Sequence, residues 1–133
     1  MWDKTAAVKH LDDNAEADSI GECAKYVRMA VEAGGVILER HALAKDYGPS
    51  LIAVGFRVVP DATPLAPITG DVAIVQPIPG HDAGHMTMFD GTLWVSDYKQ
   101  LYGVYPNAEY RTLKPPVTYY RYPSAPAPAA AAG

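Results

Sequence analysis

The sequence predicts a single α+β domain, with N-terminal helices packed on an antiparallel β-sheet. Helical spacing with start and stop signals fills the first 54 residues. From Phe56 onward, short β-type runs are separated by Pro and Gly. The chain has 133 residues, which supports one hydrophobic core and is too short for two. Helices followed by strands, without strict alternation, is the α+β order.

Thr5 to Leu11 places Ala7, Val8 and Leu11 on one face of a short helix, and residues 12–18 form a polar, acidic break. The segment SIGECAKYVRMAVEAGG is the clearest element. Ser19 and Glu22 have the spacing of a capping box, and Cys23, Val27, Ala30 and Val31 recur at helical intervals. Gly34 and Gly35 supply the stop, so a helix is predicted over Ile20–Ala33. Ala42 to Val54 reads as another helix, broken or restarted at Gly48-Pro49. FRVV, DVAIVQPI, HMTMF, LWVSDY and VTYY then read as strands of a meander, with Asp90-Gly91 as a hairpin signal. The domain is predicted over residues 1–122, followed by a flexible Pro/Ala-rich tail over 123–133.

Composition narrows the function classes. Apolar residues make up 49% and charged residues 20%, a globular rather than a disordered profile. The formal charge is -4 and the basic residues form no run, so the electrostatic footprint of a nucleic-acid binder is missing. The N-terminus lacks the basic head and apolar core of a signal peptide, and no apolar stretch has membrane-span length. A protein synthesised in the cytoplasm is expected. There is no GxGxxG or GxxxxGK[ST] phosphate loop and no GxSxG elbow. The four histidines lack paired ligand spacing, so neither a metal nor another cofactor is expected.

Cys23 is the sole cysteine, which rules out an internal disulfide and a Cys-based zinc site. A lone cysteine reads as a small packed hydrophobe. It also lies in the first turn of the best-defined helix, where unpaired N–H groups stabilise a thiolate and can hold an oxyanion. On the second reading, a lowered thiol pKa is expected. His85 follows Gly84 at the start of a predicted strand and is the candidate base. Its orienting acceptor depends on the hairpin register. A three-residue loop sets His85 opposite Asp97, and a two-residue loop sets it opposite Ser96. His81, in the loop PIPGHDAGH, is a candidate for the wall of a substrate groove, or else a solvated loop residue. His10 and His41 fit no pattern.

GECAKYVRMAVEAGG, GDVAIVQPI and GHMTMFDG, in that order, resemble the landmark segments of the NlpC/P60 and CHAP families of papain-like cysteine peptidases and amidases. The resemblance covers about Ser19 to Tyr98. It implies Cys23 as nucleophile, His85 as base and Asp97 as the third, orienting residue. In those families the third position holds His, Asn, Gln, Glu or Asp. It also implies cleavage of amide bonds in peptidoglycan stem peptides. Ser19, just before the Cys23 helix, joins His81 as a candidate substrate-binding residue. A compact member without a signal peptide resembles amidase effectors delivered by type VI secretion, or phage lysis enzymes. Such an effector acts in the periplasm after non-classical delivery and has a cognate immunity protein as partner. A papain-fold acyltransferase or deamidase, and a non-catalytic binding module, are the alternatives.

Overall fold

The computed structural model describes residues 2–59 and 67–123. Helix α1 spans Lys4–Asn14 and is capped by Asp3, whose side chain accepts from the Ala6 N–H. It buries Ala7 and Leu11 against α2, Cys23–Ala33, which buries Val27, Ala30 and Val31. The Trp2 indole donates to the Val31 carbonyl at 2.8 Å and closes the far end of this pair. It can do so because Gly34 has no side chain there; a Cβ would collide with the ring.

Helix α2 begins three residues later than the sequence predicts. The Ser19–Glu22 capping box does not form: Glu22 is the N-cap and makes no side-chain cap bond. The backbone N–H groups of Ile20 and Glu22 donate to the Asp97 carboxylate instead, each at 2.9 Å. A buried carboxylate from a distant turn outcompetes two exposed local side chains. Residues 42–54 divide as anticipated at the Gly-Pro pair, into a 3-10 turn at Ala44–Asp46 and α3 at Gly48–Ala53. Pro49 fits the first turn of α3, where its missing N–H costs no bond.

Among the described residues, six strands form one antiparallel sheet: β1 (Arg57–Val58), β2 (Val72–Val75), β3 (His85–Phe89), β4 (Trp94–Val95), β5 (Lys99–Gln100) and β6 (Val117–Arg121). The spatial order is β1-β6-β2-β3-β4-β5. The expected meander therefore holds for β2 through β5, while the C-terminal strand inserts between β1 and β2. A bidentate ion pair ties this insertion: Arg121 donates to the buried Asp71 at 2.9 and 2.8 Å. Inside this arrangement, β2 is buried at all four positions.

The hairpin loop matches neither predicted register. Phe89 pairs with Trp94 and Met88 with Val95, leaving 90–93 as the loop. The Asp90 side chain accepts from the N–H groups of Thr92 and Leu93 at 2.8 and 2.7 Å, which stabilises the longer turn. LWVSDY is a strand only over Trp94–Val95, because the chain reverses at 96–98 into β5. Strand β5 and helix α4 (Ala108–Leu113) were not anticipated. The helices cover the sheet face carrying Met86 and Met88, while Val75, Ile78 and Tyr110 form a second cluster. The tail expected over 123–133 lies, from residue 124, outside the described residues.

Candidate active site

Cys23 is the first residue of α2 and lines a cleft of about 380 Å³. One wall is the helix start and its first turns, from Gly21 to Arg28; the other is the segment 40–47, together with Ala83. The backbone N–H groups of Met86, Ala24 and Cys23 itself act on the thiol and lower its pKa. Met86 directly follows His85 in β3, the strand that packs against α2. These N–H groups favour a thiolate, as the helix-start reasoning anticipated. Burial outweighs them, with the Asp97 charge acting in the same direction as burial, and the thiol is pushed up from 9.0 to about 11. The expectation of a lowered pKa is thus corrected for the resting protein, because desolvation of a thiolate costs more than the helix start returns.

His85 is buried at the start of β3. Gly84 sets up this entry with φ +72, and a Cβ there would lie 2.5 Å from the Val75 carbonyl oxygen, so only glycine fits. The His85 Nε2 lies 2.7 Å from Oε1 of Gln100. The Gln100 side-chain nitrogen donates to the carbonyls of Gly103 and Val104 at 2.9 and 3.0 Å. Those two acceptors fix the amide orientation, since a flipped amide would set oxygen against oxygen. The Gln100 oxygen therefore faces the imidazole, Nε2 carries the proton, and Nδ1 keeps its lone pair. Burial lowers the His85 pKa, opposed by the Gln100 hydrogen bond and the Asp97 charge.

Asp97 occupies a different place from the one expected. It is fully buried in the β4–β5 turn, and its carboxylate accepts from Ile20 and Glu22, with the Ser96 hydroxyl at 3.3 Å. Its carbonyl accepts from the Glu16 N–H at 2.7 Å. Asp97 holds the approach to Cys23 in place, and neither it nor Ser96 pairs with the His85 ring. The four-residue hairpin loop and the turn at 96–98 bring Gln100 there instead. Its spacing gave no signal. The residue type did, because glutamine is among those the family resemblance admits at the third position.

Ser19 is exposed in the segment before α2, and His81 is exposed on the β2–β3 loop. The His81 ring pairs with Glu109 at 3.0 Å and packs on Tyr110. Neither residue lines the cleft at Cys23. His41, which fits no sequence pattern, does: its Nε2 lies 2.6 Å from the Ser50 hydroxyl and its ring packs edge-on against Tyr47. A thiol acted on by three backbone N–H groups, and an imidazole held in one tautomer on the strand packed against the same helix, are the groups that acyl transfer through sulfur requires.

No protein-family model matches the chain, and no curated protein does. Among solved structures, the chain is similar to one from the type VI native effector–immunity complex Tae3-Tai3 of Ralstonia pickettii. Sequence identity is 47% with a TM-score of 0.86, over 92% of this chain and 100% of that one. The selenomethionine form of the same complex matches at 47% identity and a TM-score of 0.82, over 87% of this chain and 99% of that one.

Proposed function

The chain belongs to the Tae3 family of type VI effectors, and on that premise we propose that it is a cysteine hydrolase cleaving amide bonds in the stem peptides of bacterial peptidoglycan. The observation that carries the reading is the hydrogen bond from His85 to Gln100, which leaves Nδ1 as the basic nitrogen. Cys23 is the nucleophile, His85 the general base and Gln100 the residue that orients it. Asp97, expected as the orienting residue, positions the nucleophile helix and supplies a buried negative charge.

At rest, burial holds both reacting groups in their neutral forms. The thiol proton therefore moves to Nδ1 as the sulfur attacks the amide carbonyl, rather than before substrate arrives. The N–H groups of Cys23, Ala24 and Met86 stabilise the oxyanion. The Gln100 oxygen and the Asp97 charge stabilise the imidazolium, which then protonates the leaving amine. Water, deprotonated by the same imidazole, hydrolyses the thioester and regenerates the thiol.

The related structures are effector–immunity complexes, which supports a cognate immunity protein as partner and delivery into the periplasm of a target cell as the place of action. Incubation of purified sacculi with the wild type and with Cys23→Ala, followed by chromatography and mass analysis, tests the reading. The wild type is expected to release defined peptide fragments and the variant none. Intact sacculi after wild-type treatment would refute hydrolysis.

A further inference from the structure

We propose that the cleft beside Cys23 contains a carboxylate-binding subsite, built from Lys25 and Arg40, that engages a free carboxylate of the substrate peptide next to the scissile amide. The proposal rests on the peptidoglycan-hydrolase reading and adds the chemical feature the site selects.

The protein carries a formal charge of -4 with 11 Lys and Arg residues in total. Its cleft has the opposite balance: Lys25, Arg28 and Arg40 line it, against the single acid Glu22. Arg28 is buried and bound to Glu32 at 2.9 Å, so its charge is already matched. Among the described residues, neither Lys25 nor Arg40 forms an ion pair. Two unmatched cations therefore face one cleft on an acidic molecule, and a concave wall concentrates their field.

The two cations come from independently fixed walls. Lys25 stands on α2, two positions after Cys23. Arg40 precedes His41, whose backbone is clamped by the Tyr47 hydroxyl: the His41 N–H donates to it at 3.1 Å, and it donates to the His41 carbonyl at 3.2 Å. Further along, the Lys45 N–H donates to the Ala83 carbonyl at 2.9 Å, which ties the same wall to the loop preceding His85. The backbone beneath Arg40 is thus set before substrate arrives, which reduces the ordering cost of binding. A guanidinium and an ammonium lining one cleft suit a planar carboxylate, which can accept from both. Because Cys23 lines the same cleft, a carboxylate held there lies close in sequence to the carbonyl that the sulfur attacks. Stem peptides carry free carboxylates beside their amide bonds, whereas amidated stems present neutral carboxamides.

Binding is measured by calorimetry on Cys23→Ala, which does not turn over. The probes are a purified muropeptide with free carboxylates and the same peptide converted to its carboxamides. The free acid is expected to bind about tenfold more tightly, the size of one charge-assisted hydrogen bond. Adding Lys25→Gln and Arg40→Gln together should erase the difference, and salt should shrink it. Equal affinity for the two peptides, no binding of either, or a preference that survives the double substitution would overturn the subsite. Fragment release from sacculi by the wild type is read separately. Its absence overturns hydrolysis, whereas loss of carboxylate discrimination overturns only the subsite.

Discussion

Cys23 and His85 are each pushed by burial toward the neutral form, and this sets how the pair is expected to behave in solution. Iodoacetamide labelling of the resting protein should show a midpoint well above the free-thiol value of about 8.5. A midpoint near 7 would mean that a preformed thiolate–imidazolium pair exists. Gln100 is the residue whose substitution should separate orientation from binding. Gln100→Ala frees the ring to adopt either tautomer, so kcat should fall by about 10–100-fold with little change in KM. Gln100→Glu keeps an acceptor and adds a negative charge, which raises the His85 pKa. The acidic limb of the kcat pH profile should then move to higher pH, a displacement that a purely structural role for Gln100 would not produce.

Between elements, the connection that matters most is the one from the β4–β5 turn to the start of α2. Asp97→Ala removes the acceptor for the Ile20 and Glu22 N–H groups and should cost about 2–3 kcal/mol in urea denaturation. Asp97→Asn retains one acceptor and should cost less. A silent Asp97→Ala would mean that water caps the helix equally well. A second connection joins α1 to the hairpin loop. Asp12 approaches Asp90, and burial together with that neighbour raises the Asp12 pKa to about 6. One Asp12 oxygen is buried without a hydrogen-bond partner. A raised carboxyl pKa stabilises the fold at low pH, and the benefit is lost as pH rises through the folded value. The window lies between 3.8 and about 6, so Asp12→Asn should raise Tm at pH 8 and have little effect at pH 3, and scanning calorimetry at the two pH values distinguishes these outcomes.

At the scale of the whole molecule, two groups shifted by burial, His85 and Cys23, shape the stability profile. The His85 pKa is lowered by burial, so the unfolded chain takes up the proton first and stability falls as pH drops below about 6.5. The Cys23 pKa is raised from 9.0 to about 11, so the unfolded chain loses its proton first and stability falls between those values. Cys23→Ala should flatten the alkaline limb relative to the wild type, and denaturation series from pH 8 to pH 11 would show it. Parallel limbs in the two proteins would mean that the thiol is not buried in solution.

The sequence alone was enough for the α+β class, the helix carrying Cys23, the strand that opens at His85 and the division at Gly48-Pro49. Each follows from local signals: 3.6-residue spacing, Gly and Pro punctuation, and a glycine whose backbone no other residue tolerates. The positions of Cys23 and His85 at the starts of α2 and β3 were legible because element ends carry local signals. The partner of His85 was not, since hairpin register depends on the Asp90 side chain bonding its own loop, a contact that competes with shorter turns by small energies. Nor could local pattern anticipate a carboxylate 75 residues away capping α2, or a C-terminal strand entering beside β2. The same holds for the thiol. A helix start promises a low pKa, but only the packed molecule decides how much water remains around the sulfur, and here desolvation outweighs the helix start. Tertiary structure decided the register, the cap and the protonation state because each is set by groups far apart in the chain that meet only when the core closes.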